Sequence, residues 1–377
     1  MMETTPLLRR PTHNRCPLGL LAVTASALVF GVVACMVKVV ALPPLVMLQC
    51  RSFVQWALSL ASVALCARGA TSVEPSPSPK PGSVWPERLF GPPRLARCLA
   101  LRALSYWAFM GLWWSSLEAL PVGDATTIVS CGPLFTSLSA VLFLGERVPR
   151  SFVPCLLLDI AGVIAITRPR FLFDLLDAPP SPARYDARYE QGVALALASA
   201  FVAGQLPILA RLSRACHWST VEHVTSSLSS VVFTPAALAL RAWSSSGGAP
   251  GPRLGALARV APAAGARGFL AGLAPGATAL VCAASVVEFV GLGLQTWGFQ
   301  REDAMRASLM GYLEVPFAYA LQYALFKQQP ISAAQIGGML AIVGSAVVNQ
   351  RASQREGGDA DASDRVSVSA ASPSISS

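Results

Sequence analysis

One stretch in the first half of the chain decides its fold class: residues 124–147 read DATTIVSCGPLFTSLSAVLFLGER. Asp124 opens the stretch, Glu146 and Arg147 close it, and no Asp, Glu, Lys, Arg or His lies between them. An uncharged, mostly apolar run of this length matches what a helix needs to cross the ~30 Å hydrocarbon core of a bilayer. The stretch therefore predicts a membrane-spanning helix.

The composition of the whole chain has the same character. Of its 377 residues, 53% are hydrophobic and only 13% are charged, whereas a soluble globular chain carries about 25% charged residues. This composition excludes a water-soluble enzyme and predicts an all-α integral membrane protein. The formal net charge of +9 then indicates basic cytosolic loops and not a nucleic-acid partner.

Windows of about 20 mostly apolar residues predict ten transmembrane helices. They cover residues 18–41, 44–66, 98–120, 122–144, 151–167, 191–210, 218–240, 274–299, 304–326 and 331–349. The window at 218–240 is a weaker candidate because it contains Glu222, His223 and many Ser and Thr residues. Such groups insert into a membrane only when they face protein or water.

The ten helices fall into two units of five, joined and flanked by polar segments. Both tails are expected to be cytosolic, and the Ser- and Asp-rich C-terminal tail is expected to be disordered. An N-terminal tail (1–17) precedes the first unit (18–167), which contains a Pro-rich loop (67–97). A connecting loop (168–190) leads to the second unit (191–349), which contains a long loop (241–273), and a C-terminal tail (350–377) follows.

The two units echo each other in sequence. Gly111 and Asp124 in the first unit correspond to Gly291 and Asp303 in the second, and the stretch 133–135 corresponds to 315–317. Because each unit has an odd number of predicted helices, the second copy would be inverted in the membrane relative to the first. Inverted repeats of this kind are typical of secondary transporters.

These residues resemble the EamA-type repeat of the drug/metabolite transporter superfamily, and within it the G-type members of solute carrier family 35. The resemblance is strongest over residues 124–147, is supported by 49–56 and 101–104, and extends from residue 18 to residue 349 outside the long loops. It implies a ten-helix carrier with a central cavity. The sequence departs from the family pattern at Glu314-Val-Pro-Phe317, where the family commonly has Glu-Pro-Val-Phe, and at Gly132, where it has Glu.

Motifs of soluble enzymes, nucleotide-binding loops and metal sites are absent from the sequence. We therefore predict that the protein is not an enzyme and has neither a cofactor nor a metal site. The expected partners are a small-molecule solute and the lipid bilayer, and a homodimer is compatible with this prediction.

Ionisable side chains at membrane depth are the first candidates for a functional site, because lipid exposure of a charge costs several kcal/mol. Lys38 either snorkels to the interface or lines a cavity. Arg51 either lines a cavity or neutralises a buried carboxylate such as Glu288 or Glu314. Arg102 is more readily explained as an interfacial side chain. An anionic substrate would require this trio of cations.

The complete set of candidates follows from these groups and from polar residues in the predicted helices. Glu288 and Glu314 are candidates for coupling to protons or substrate, and Asp124 and Asp303 are expected to cap the helices that they precede. The candidate substrate-binding residues are Lys38, Arg51, Gln55, Arg102, Gln295, Tyr312, Glu314 and Gln322.

The distribution of basic residues predicts that both termini are cytosolic, because the segments on that side contain more Lys and Arg than the others. The N-terminal tail contains Glu3, Leu7 and Leu8 in the spacing of an acidic dileucine sorting motif. This motif favours a clathrin adaptor as partner and an endolysosomal location; another endomembrane or the plasma membrane stays open.

The leading hypothesis is a multi-pass transporter that moves a small polar, anionic organic metabolite by alternating access. The alternative is a non-transporting membrane scaffold that regulates another membrane protein. Substitution of Arg51 and Lys38 distinguishes the two, since it would change solute flux in a transporter but only partner binding in a scaffold.

Overall fold

The structure is a computed structural model that describes residues 18–38, 44–69, 84–117, 119–120, 122–146, 148–169, 172, 187–239, 275–326 and 332–370. All regular secondary structure in these ranges is helical. The expected all-α class is therefore confirmed. The predicted sorting motif at Glu3, Leu7 and Leu8 lies outside the described residues.

The described residues of the first half form seven α-helices: α1 (Leu18–Lys38), α2 (Pro44–Gly69), α3 (Val84–Phe90), α4 (Ala96–Leu117), α5 (Val122–Val129), α6 (Gly132–Ser139) and α7 (Phe152–Thr167). A π-helical turn, Ala140–Leu144, continues α6. The described residues of the second half include α8 (Ala187–Leu212), α9 (Trp218–Leu228), α10 (Pro275–Arg301), α11 (Ala304–Met310), α12 (Glu314–Phe326) and α13 (Ala333–Ala370). A π-helical turn, Ser229–Phe233, continues α9, and a 3₁₀ turn, Gly311–Leu313, joins α11 to α12.

Each of the ten predicted transmembrane stretches is largely helical over its described residues. Among the described residues, five helical segments are long and apolar enough to cross a membrane: Leu18–Met36, Asp124–Leu144, Arg188–Leu212, Thr278–Arg301 and Ala333–Ala352. Phe152–Thr167 is apolar but shorter. Ten membrane crossings therefore stay a prediction.

Large apolar side chains point outward from several of these helices. Leu142 and Phe143 in the turn after α6, Leu157 in α7 and Leu340 in α13 are each more than 60% exposed. Contiguous apolar surface is uncommon on a monomeric soluble protein. It is the surface that the acyl chains of a bilayer would cover.

The helices of the two halves pack in matched pairs. α1 packs along α10 and α12, and correspondingly α8 packs along α4 and α6; α2 packs against α9, and α7 against α13. In sequence order, α1, α2, α4 and α7 correspond to α8, α9, α10 and α13, and α5 with α6 corresponds to α11 with α12. When corresponding helices are exchanged, the two contacts of α1 become the two contacts of α8, and the contacts α2–α9 and α7–α13 are unchanged.

The contact between α7 and α13 is unusually close because both helices present a glycine. A Cβ atom on Gly162 would lie 2.7 Å from the carbonyl oxygen of Gly338, and one on Gly338 would lie 2.6 Å from that of Gly162. Beside this contact, Phe152, Met305 and Ile342 form part of an apolar cluster and are at most 2% exposed. Small residues at helix contacts allow such backbone approach within membranes.

Two segments that we expect to be irregular are helical. α3 and a 3₁₀ turn, Pro93–Leu95, lie within the predicted loop 67–97, and Thr220 of α9 donates a hydrogen bond to the Arg88 carbonyl at 2.7 Å. α13 continues to Ala370, where we expect a disordered tail. Good helix formers such as Ala352, Gln354 and Arg355 extend that helix beyond its apolar part.

Candidate functional site

Two buried ion pairs join the halves of the protein. Arg51 on α2 pairs with Glu288 on α10 at 2.7 Å, and Arg102 on α4 pairs with Glu222 on α9 at 3.0 Å. In both pairs the guanidinium belongs to the first half and the carboxylate to the second. Pairing is the expected state of buried charges, because removing an isolated ion from water costs several kcal/mol.

The Arg51 guanidinium is enclosed by its neighbours. Its Nη1 donates to Glu288, and its Nη2 donates to the Tyr106 hydroxyl at 3.1 Å. The aromatic rings of Tyr106 and Trp114 lie 5.4 and 5.2 Å from its Cζ atom, within the range of cation–π contacts. Of the two interpretations from the sequence, the structure shows pairing with a buried carboxylate, and it selects Glu288 as the partner. A role in binding substrate stays a prediction.

Arg102 is buried at 2% exposure, so the interfacial position that we expect for it is wrong. α9 and α10 cover this turn of α4 and supply its partners. Both hydrogen bonds of the guanidinium come from Nη2, which donates to Glu222 at 3.0 Å and to the Thr296 hydroxyl at 2.7 Å. Its Nε and Nη1 atoms are buried and have no hydrogen-bond partner among the described residues.

The polar composition of α9 is explained by its surroundings within the protein. All residues from Ser219 to Ser226 are buried. His223 Nδ1 lies 3.2 Å from the Ser59 hydroxyl of α2, and Ser226 lies 3.2 Å from the same hydroxyl. Because its polar side chains face protein, this weakest of the predicted membrane helices does not present them to lipid.

The remaining candidate residues are spread over several helices. Gln55 is 3% exposed, and its Nε2 atom has no hydrogen-bond partner among the described residues. Glu314, the first residue of α12, is partly buried and interacts electrostatically with Glu288. Gln295 on α10 is partly buried, and the buried Tyr312 hydroxyl donates to the Ser130 carbonyl. Lys38 and Gln322 lie on α1 and α12, and their side chains are outside the described part of the structure.

Three residues of the polar cluster are missing from the candidates taken from the sequence: Tyr106, Glu222 and Thr296. Tyr106 follows Arg102 by four positions and therefore lies on the same face of α4. That spacing was a usable signal. Thr296 carried no signal of its own, because a single threonine in an apolar helix is common and its partners are distant in sequence.

The predicted helix caps need correction. Asp124 lies inside the first turn of α5 and accepts a hydrogen bond from the Tyr189 hydroxyl at 2.9 Å. Asp303 does occupy the N-cap position of α11, but its side chain makes no capping bond. The Ala304 amide donates instead to Glu146 Oε1, at 3.5 Å. α11 is thus capped from the first half of the chain.

An ionic network surrounds this cap. Arg211 at the end of α8 contacts Glu146 at 3.0 Å and Asp303 at 3.2 Å, and it donates to the Glu302 carbonyl at 2.6 Å. Burial raises the pKa of the Glu146 carboxyl above its ordinary value, and the charge of Arg211 opposes this shift. The network connects three chain segments that are distant in sequence.

Comparison with known proteins gives this architecture a family. Residues 17–168 match the model of the EamA-like transporter family. This part of the chain is similar to that family. The EamA-like match coincides with the predicted first unit and confirms the EamA-type resemblance; the closer resemblance to solute carrier family 35 stays a prediction. Family and apolar helices together show an integral, multi-pass membrane protein. No curated protein matches the sequence.

The fold of the chain is also seen in a solved crystal structure. That structure is 18% identical in sequence and superposes with a TM-score of 0.59, and the match covers 88% of this chain and 96% of the other. At this identity the similarity concerns the fold alone. It extends over both halves of the chain, beyond the residues that the family model matches.

Proposed function

We propose that this protein is a transporter that moves a small polar, anionic organic metabolite across a membrane by alternating access. The observation that carries the proposal is the buried polar cluster between an EamA-like first half and a second half with matching helix contacts. The family consists of transporters, and a polar cluster between two helical units is where a secondary transporter would bind its solute.

The packing of the helices supports an inverted repeat. The main contacts of α1, α2, α4, α6 and α7 correspond to those of their second-half counterparts. Helix breaks also occur at corresponding places, between α5 and α6 and between α11 and α12. Discontinuous helices at matching positions of two halves commonly flank the solute site of such carriers.

The anionic character of the solute is supported by a surplus of hydrogen-bond donors. On α2 and α4, most buried side-chain polar atoms without a hydrogen-bond partner among the described residues are donors, and Gln49 Oε1 is the exception. The donors are Arg51 Nε, Gln55 Nε2, Trp56 Nε1, Arg102 Nε and Nη1, and Trp113 Nε1. An unsatisfied buried donor costs about 1–3 kcal/mol. A solute rich in acceptors would remove that cost.

Within this proposal the residues have two roles. Glu288 and Glu314 would be the coupling residues, which take up either a proton or the substrate during transport. Both carboxylates lie in the second half and interact with each other. The remaining groups would contact the solute: Lys38, Arg51, Gln55, Arg102, Gln295, Tyr312 and Gln322, with Glu314 contributing to both roles.

The cellular setting is part of the proposal as well. Both termini would be cytosolic, with a clathrin adaptor binding Glu3, Leu7 and Leu8 and directing the protein to endolysosomal membranes. Another endomembrane, or the plasma membrane, would be the location if the dileucine motif is inactive. A homodimer is compatible with the exposed apolar surface.

Reconstitution into proteoliposomes tests the transport function directly. Uptake and exchange of organic anions, nucleotide sugars and amino acids would be measured against empty liposomes. Saturable flux of at least one anion supports the proposal. Absence of flux for every solute, with a correctly folded protein, overturns it and favours the scaffold alternative.

A further inference from the structure

We propose that Arg102 and Gln55 together bind an oxyanion group of the solute, either a carboxylate or a phosphate. This inference rests on the proposed transport function and assigns the anion-binding point to one of the two buried arginines. It starts from the three N–H bonds on Nε and Nη1 of Arg102, which have no partner among the described residues.

The contacts that α2 and α4 make indicate that Gln55 and Arg102 lie at the same level of these two helices. Arg51 on α2 contacts Tyr106 on α4. Two turns further along α2, Ser59 contacts α9, and one turn back along α4, Arg102 contacts the same helix. The two helices therefore run in opposite directions past α9. Gln55, midway between Arg51 and Ser59 on the same face of α2, lies level with the Arg102 turn of α4.

The Arg102 guanidinium is held in place by groups that leave most of it free. Glu222 and Thr296 both accept from Nη2, and the Thr296 hydroxyl donates onward to Glu222 at 2.5 Å. This arrangement fixes the guanidinium through one nitrogen. The other two nitrogens and the Gln55 amide are donors, and an oxyanion is the ligand that accepts from several donors at once.

Arg51 is less suited to the same task. Both of its terminal nitrogens already donate, and aromatic rings lie near its Cζ atom. Of its three nitrogens, only Nε has no hydrogen-bond partner within the described part of the chain. A solute anion at that point would also approach the Glu288 carboxylate, which accepts hydrogen bonds from both Arg51 and Tyr106.

Substitutions in the purified full-length protein distinguish the loss of hydrogen-bond donors from the loss of positive charge. Arg102→Lys retains a cation for Glu222 but removes the planar set of donors. We expect it to weaken oxyanion binding by at least about tenfold, which is the effect of a charge-assisted hydrogen bond, and more than Arg51→Lys does. Gln55→Leu should weaken binding by about fivefold, while Gln49→Leu, on the same helix, should leave it unchanged.

The probes are succinate and glutamate as carboxylates, and inorganic phosphate and uridine monophosphate as phosphates, with binding measured by isothermal titration and thermal stabilisation. If only the carboxylate probes bind, or only the phosphate probes, the result identifies which oxyanion the subsite accepts. If Arg102→Lys fails to melt cooperatively, Gln55→Leu and Gln49→Leu decide the outcome. Binding that survives both site substitutions, or that depends more on Arg51 than on Arg102, overturns the assignment.

The same measurements distinguish this inference from the proposed function. Flux of a cationic or uncharged solute, without binding of any oxyanion probe, overturns the subsite and leaves the transporter. Binding of an oxyanion that is lost in Arg102→Lys and Gln55→Leu, without flux of any solute, supports the subsite and overturns the transporter.

Discussion

Arg51 and Glu288 depend on each other because each is buried with its charge. A buried ion pair contributes little net stability, but removing one partner leaves an uncompensated charge and costs about 3–5 kcal/mol. We therefore expect Arg51→Gln to lower the melting temperature of the purified protein. Adding Glu288→Gln should restore most of the loss, because both sites are then neutral.

Thermal unfolding of the single and double variants in one detergent checks this expectation, and flux in proteoliposomes is the second readout. A double variant that is stable but inactive would show that the pair takes part in transport as well. A single variant with the melting temperature and flux of the wild type would leave Arg51 with neither a structural nor a transport role.

At the scale of elements, the α7–α13 contact predicts opposite outcomes for two adjacent glycines. A Cβ atom on Gly338 would meet the Gly162 carbonyl oxygen at 2.6 Å, whereas one on Gly337 has no atom within 4 Å. Gly338→Ala should therefore force the helices apart and lower the melting temperature. Gly337→Ala should be neutral or slightly stabilising, because alanine is favoured over glycine in a helix by roughly 0.5–1 kcal/mol.

Thermal unfolding of the two alanine variants under identical conditions provides the test. Since the substitutions are chemically the same and one position apart, the comparison isolates packing from helix propensity. Equal melting temperatures would contradict the close contact between the two helices.

The cap of α11 by Glu146 predicts a dependence on pH. Because burial raises the pKa of this carboxyl, the folded state favours its protonated form. The stability that this group confers is therefore greatest below its ordinary pKa of 4.5 and falls as the pH rises through the raised value. Glu146→Gln keeps an acceptor for the Ala304 amide, and we expect it to reduce the fall in melting temperature above pH 4.5.

Melting temperatures of the wild type and Glu146→Gln would be compared from pH 4 to pH 8. The conclusion is wrong if both proteins show the same dependence. An Asp303→Asn variant serves as the matched control, because Asp303 contacts the same Arg211 guanidinium but makes no capping bond to α11.

The helices themselves were predictable from sequence, whereas their breaks and partners were not. Apolar length was enough to locate α1, α8 and α10, because a membrane helix is recognised by composition. The break between α11 and α12 lies inside one long predicted helix, and hydrophobic periodicity does not mark it. Which carboxylate pairs with Arg51 depends on contacts between residues 237 positions apart. Local sequence patterns cannot rank such pairs.

At the scale of the whole molecule, orientation in the membrane is the next prediction. The excess of Lys and Arg in alternate loops predicts that both termini lie in the cytosol. Single cysteines at Ser78 and Ser181, in a background without the nine native cysteines, should react with an impermeant thiol reagent from opposite sides of sealed membranes. Labelling of both from the same side would contradict the ten-helix topology.

The division of charge between the halves has a consequence for how the protein is made. Arg51 leaves the ribosome 237 residues before Glu288, and Arg102 leaves it 120 residues before Glu222. At about 5–20 residues per second, the Arg51 guanidinium waits on the order of 10–50 seconds for its carboxylate. Between the synthesis of Arg102 and that of Glu222, the newly made first half holds both of these cations without their counter-ions. We therefore expect the insertion machinery to shelter those helices until the second half is made, and a chain truncated after α7 to be degraded, because its two buried cations never meet their carboxylates.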